Sequence, residues 1–231
     1  MATERKITAY FLEQSNDDCG YLDTCSGGDY NFMPGGTPPK DEKGEEMPLL
    51  FQVNFNRLPN LEGFPETGLM QVFVAEDYDN LPDSDVYPAS KICFKFCDPS
   101  QYENLAEEQF EENIHEEMGL HRFYLGKDVK YTGVAATMQV VGENIQTPLG
   151  CEGYDGVILG GLVTEGQLYG KNLRLFKQHP EYSMPLLRIN PSENDCDDVF
   201  ESYWFFVKPE EFKNQNIQST LLLIRTANGW D

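Results

Sequence analysis

Short β-branched and aromatic runs, cut apart by 20 glycines and 14 prolines in 231 residues, constrain this chain more than any other feature. Runs of that length between turn-forming residues read as strands, because branched and aromatic side chains suit a pleated surface and Gly and Pro supply the turns. The pattern predicts strands at 49–55, 69–75, 91–97, 134–141, 156–162, 185–190, 203–207 and 220–226. Hydrophobic residues make up 40% and aromatic ones 13%, enough for a chain of this length to bury a core without staples. The expected fold is mainly β (α+β), with a few peripheral helices. No apolar run approaches the roughly 18 residues that a membrane-spanning helix needs. Residues 26–46 hold five glycines and three prolines and read as one long irregular loop. Loops of that length in a compact domain are commonly functional.

Acidic residues outnumber basic ones 39 to 17, a formal charge of −22, and they are not evenly spread. Three stretches without a Lys or Arg, Glu76–Asp85, Asp98–Met118 and Pro191–Glu201, contribute −18 of that total. The rest of the chain is close to neutral. Nucleic acid and anionic membrane both need a positive face, so neither is an expected partner. A basic protein is.

The middle stretch predicts a helix at about 99–118. Asp98 suits the N-cap, Pro99 the first turn and Gly119 the stop, while Tyr102, Leu105, Ala106 and Phe110 share one face. The same segment carries Glu103, Glu107, Glu108, Glu111, Glu112 and Glu116. Like charges four residues apart oppose a helix by roughly 0.2–0.5 kcal/mol per pair, so folding alone does not select this pattern. These six glutamates are the candidate partner-binding surface. The competing explanation is a solvated face that keeps the protein soluble.

Six cysteines, at 19, 25, 93, 97, 151 and 196, are expected to be reduced thiols. The opening Met1–Ile7 is polar and lacks the apolar core of a secretory signal, which points to the cytoplasm. Cys93 and Cys97 lie four apart in an alternating strand and so share a face, with no zinc-ribbon spacing. The three histidines form no metal-binding motif. Asp77-Tyr-Asp79-Asn80 opens like a calcium loop, but Leu81 and Pro82 break it. No metal or cofactor is expected.

Two parts of the chain echo each other. Met47-Pro-Leu-Leu-Phe-Gln-Val-Asn54 returns as Met184-Pro-Leu-Leu-Arg-Ile-Asn190, and Val72–Tyr78 returns as Phe206–Phe212. The spacing is too long for a solenoid and suggests two similar β-halves, about 47–110 and 155–225. On that reading Leu49, Val53, Phe73, Leu186, Ile189 and Phe206 point into one shared core.

The same residues carry a family resemblance. Positions 47–74, MPLLFQVNFNRLPNLEGFPETGLMQVFV, resemble the signature of the YwqG-like proteins, an uncharacterised bacterial family. Leu159-Gly160-Gly161, Pro185–Asn190 and Tyr203–Lys213 are similar to the C-terminal half of that family. The resemblance implies one mainly β, roll-like, intracellular domain, and it brings no catalytic residues with it. It is interrupted at Asp198-Val-Phe-Glu-Ser202, where the family pattern has Trp-Gly-Asp.

Motifs for chemistry are absent from the sequence. There is no nucleophile elbow, no phosphate-binding loop with its Lys, and no dinucleotide fingerprint. The glycine-rich 150–170 segment reads as tight turns and close strand packing. Two functions from different classes follow. One is a non-catalytic acidic binding protein, of immunity or inhibitor type, that meets a basic protein. The other is an enzyme or small-ligand binder whose site lies between the two halves, under the 26–46 loop.

Overall fold

A computed structural model describes residues 5–14, 23–26, 38–75, 84–98, 129–141, 144–146, 156–163, 165–190 and 201–226. Among these the chain is mainly β. The strands are β1 (Arg5–Gln14), β2 (Cys25–Ser26), β3 (Leu49–Asn54), β4 (Leu69–Val74), β5 (Asp85–Pro88) and β6 (Ile92–Cys97), followed by β7 (Val129–Val141), β8 (Asn144–Gln146), β9 (Gly156–Gly160), β10 (Met184–Asn190), β11 (Glu201–Val207) and β12 (Ser219–Thr226). Two antiparallel sheets meet at the centre, in the order β5-β12-β11-β10-β9-β1-β7 and then β7-β2-β3-β4-β6, with β8 beside β7. The outermost strands, β5 and β6, are consecutive in sequence and joined by a tight turn in which the Lys91 N–H donates to the Pro88 carbonyl at 2.9 Å. β6 also lies against β12, so the strand path curls back on itself.

All eight expected strands are present. β7 begins five residues earlier than its sequence pattern indicates. The long central strand β1 was not expected, and neither were β2, β5 and β8. β1 pairs with β7 over ten residues and with β9 on its other side, so its place depends on partners more than 100 residues away. The expected helix at 99–118 lies outside the described residues. Among the described residues the α-helices are α1 (Gly170–Gln178) and α2 (Pro209–Lys213). In α2 Pro209 opens the first turn, Glu210 and Glu211 follow it there, and Lys213 sits in the last, as the helix dipole favours.

The two echoed segments, β3 and β10, each carry a bulge. In β3 the register with β4 shifts between Leu49 and Phe51, and in β10 the register with β11 shifts between Pro185 and Leu187. Alternation would send adjacent residues to opposite faces, whereas an extra residue lets two neighbours face the same way. Leu50 with Phe51, and Leu186 with Leu187, accordingly all enter one core. Gln52 and Arg188 follow on the other face, and Val53 and Ile189 return inward.

That inner core joins Leu50, Phe51, Val53, Met70, Val72 and Phe94 of one sheet to Leu186, Leu187, Ile189, Tyr203, Phe205 and Leu222 of the other. Of the six residues expected to share it, Val53, Leu186 and Ile189 do. Leu49 and Phe73 instead pack with Met47 and Ala75, and Phe206 packs with Trp204, Leu221 and Leu223. All six positions are buried, but each sheet is covered on both faces, and the bulges shift the register that decides which face a residue takes.

Candidate functional site

Two of the three acidic stretches reach described residues at neighbouring points. The first ends at Ser84 and Asp85, where β5 starts. Ser84 is buried, and its hydroxyl accepts a 2.8 Å hydrogen bond from the Ile224 N–H of β12. The third ends at Glu201, which starts β11 opposite Thr226 at the far end of β12. Asp85 pairs with Leu222, so β5 and β11 both enter the sheet toward the C-terminal end of β12, one on either side of it. The middle stretch starts from exposed Asp98, after β6. Glu103, Glu107, Glu108, Glu111, Glu112 and Glu116 lie outside the described residues.

Part of the 26–46 loop is described. Over 38–46 it forms a tight turn closed by a bridge between Lys40 and Glu46. The Asp41 carboxylate accepts the Lys43 and Glu45 N–H groups at 2.8 and 2.9 Å, which lets Gly44 take its positive φ of 85°. Ser90, from the β5–β6 turn, donates to Glu42 at 3.0 Å. Residues 27–37 lie outside the described residues.

A buried polar row crosses the outer face of the second sheet. Gln71 Nε2 donates to Gln52 Oε1 at 2.8 Å, and Gln52 Nε2 donates to the Asp23 carbonyl at 2.9 Å. The buried Asp23 carboxylate pairs with the half-exposed Arg57, and Thr24 Oγ1 accepts the Asn54 N–H. Hydrogen bonds of this kind help fix the register of buried strands. The same row holds the segment before β2 against β3.

A second cluster brings together residue types used in nucleophilic catalysis. Ser219 Oγ lies 2.7 Å from the Tyr182 hydroxyl and 3.3 Å from Lys208 Nζ. Lysine activates a serine only when it is neutral. Here Lys208 also donates to Glu211 at 2.9 Å, and that bond pushes its pKa up, so the amine stays charged. Burial alone would raise the Glu211 carboxyl. The Gln218 N–H at 2.8 Å and the Lys208 ammonium outweigh it and hold the carboxyl low. The cluster therefore acts as a clamp that fastens α2 and the Tyr182 segment to the start of β12. Sequence reasoning missed it because Lys208, Glu211, Ser219 and Tyr182 form no motif.

Cys93 and Cys97 form no disulfide and lie on one face of β6, opposite Phe73 and Leu69. Burial pushes the Cys93 thiol up, only partly offset by Lys95. Cys25 belongs to β2, and Cys19, Cys151 and Cys196 lie outside the described residues. No group of three or more His, Cys, Asp or Glu side chains converges among the described residues. No helix among them is long and apolar enough to cross a membrane.

No curated protein matches the chain. The family described as Domain of unknown function (DUF1963) matches it over residues 26–224, from β2 to near the end of β12. That span takes in both echoed segments, both bulges and the inner core between them, and the chain belongs to the DUF1963 family.

Proposed function

We propose that this is a non-catalytic binding protein that meets a basic protein partner through its acidic stretches. The observation that carries the reading is the placement of −18 of the −22 net charge in three stretches without one Lys or Arg. The entry of β5 and β11 on either side of β12 supports it, because the ends of two such stretches are held near each other on a rigid sheet. Surface charge concentrated in this way speeds association and selects partners more than it adds raw affinity. An inhibitor or immunity role against a basic enzyme is the concrete form. The reading includes a cytoplasmic location, where the six cysteines stay reduced.

Co-purification from the native source, followed by affinity measurements across a salt series, tests it. The variant Glu107→Lys with Glu112→Lys is expected to slow association with the partner, and the wild-type affinity is expected to fall as salt rises. A partner whose affinity ignores both the variant and the salt overturns the proposal.

A further inference from the structure

At the C-terminal end of β12 two side chains stand where a strand would otherwise pair. β5 starts at Asp85, opposite Leu222, and among the described residues no strand pairs with β12 beyond that point on the β5 side. The Ile224 N–H donates instead to the buried Ser84 hydroxyl at 2.8 Å, and the Ile224 carbonyl accepts from Asn172 Nδ2 of α1 at 2.7 Å. These partners come from 140 and 52 residues away in the chain. In an antiparallel pair every second residue turns its backbone groups to the same neighbour. Leu222 and Thr220 therefore face β5, paired with Asp85 and Tyr87, while Val86 and Pro88 turn their backbone groups away from β12. That outer edge is blunted as well. The Val86 N–H donates to Asp85 Oδ1 at 2.8 Å, and Pro88 has no N–H.

An edge with open backbone groups is a template for a strand of another chain, and proteins close such edges with short strands, prolines and covering elements. We infer that Ser84 and Asn172, together with Asp85 and Pro88, guard the β5–β12 edge against strand addition by a second copy of this chain and so keep the chain monomeric. Backbone pairing asks for no particular side chain, so the same edge on another molecule is a ready partner. Two β12 ends brought together antiparallel about a two-fold axis complement each other. The net charge of −22 repels a second copy, but salt screens that repulsion, so at high salt the guard rests on the four side chains. The Asn172 half of the guard rides on α1, which Leu173, Leu175 and Phe176 hold against Trp204, Phe206 and Leu221.

The test is the oligomeric state of the full chain by sedimentation velocity at low and high salt. Wild type is expected to be monomeric at both. The variant Ser84→Ala with Asn172→Ala is expected to dimerise at high salt, with a dimer fraction that rises with concentration. Its amides at 223–226 are expected to exchange faster than wild type in the monomer and more slowly in the dimer. By the same alternation the Thr226 N–H turns to this edge, so Thr226→Pro removes a donor there without costing a bond to β11. Added to the double variant, it is expected to restore the monomer. Tyr182→Phe removes the hydroxyl bonded to Ser219 at the other end of β12 and controls for lost stability; it is expected to stay monomeric. Circular dichroism checks that each variant folds, and Asn172→Ala alone carries the test if the double variant does not, with a weaker dimer expected. Four results overturn the inference: self-association of the wild type at high salt, a folded double variant that stays monomeric there, a dimer that Thr226→Pro leaves intact, or equal dimerisation of Tyr182→Phe.

Discussion

Phe64, in the loop after β3, lies directly over Gly160 at the end of β9, where an added Cβ would come within 2.9 Å of the ring. Phe64 also stacks edge-on against Phe212 of α2 at 5.2 Å, and Phe212 against Phe96 at 5.8 Å. This aromatic chain crosses between the two sheets. Gly160 also holds a φ of +72°, which disfavours any other residue. Gly160→Ala is expected to cost about 1–3 kcal/mol in urea unfolding, as overpacking of a fixed ring combined with backbone strain does. A change within about 0.5 kcal/mol, the range of ordinary surface substitutions, would mean that Phe64 moves aside freely.

The inner core draws on both echoed regions, with Leu50 and Val53 from one and Leu186 and Ile189 from the other. Neither region buries its inner face alone. Residues 47–110 or 155–225 expressed separately are expected to aggregate or stay unfolded by circular dichroism and amide dispersion. An independently folded, monomeric half defeats the reading of two mutually dependent units.

The Lys208–Glu211 clamp sets a pH window. The Glu211 carboxyl is held low in the folded state, so its contribution is fully present above the ordinary carboxyl range and is lost as pH falls through the depressed folded value. Lys208 is raised, so its contribution is present below the ordinary lysine value and is lost as pH rises through the higher folded one. Between these limits Glu211→Gln is expected to cost about 1 kcal/mol, the net value of a partly solvent-screened ion pair and its hydrogen bond. The variant should also flatten the acid limb of stability against pH. An acid limb with unchanged slope rules out the clamp as its source.

Thiol titration of unfolded protein, prepared without reductant, is expected to count six. In the folded protein Cys93 is expected to alkylate slowly at mildly alkaline pH, because burial keeps its thiol protonated. A count of two or fewer after unfolding contradicts a reducing compartment.

Strands β3, β4, β6, β7, β9, β10, β11 and β12 were legible because each carries its own signal, a short branched or aromatic run between turn residues. β1 carries a weaker signal in Arg5–Gln14 yet occupies the centre of the sheet. It is a strand because β7 and β9 supply hydrogen-bond partners on both edges, and no local pattern encodes a partner that distant. α1 was hidden for a related reason. It contains no fully buried residue, and its apolar side acquires meaning only against Phe206 and Leu221.

The order of residues along the chain already specifies a mainly β protein, a charge concentrated in three acidic stretches, and Leu-Leu pairs that recur in two matching strands. Those are properties of local composition and spacing. Which face each residue takes emerges from the pairing of the strands, since one bulged residue at Leu50 and another at Leu186 reset the alternation. Tertiary structure also brings Ser219 to Lys208 and Tyr182, and Ser84 and Asn172 to Ile224. Each of these depends on contacts between residues far apart in the chain, and their geometry exists only once the sheets have closed around the core.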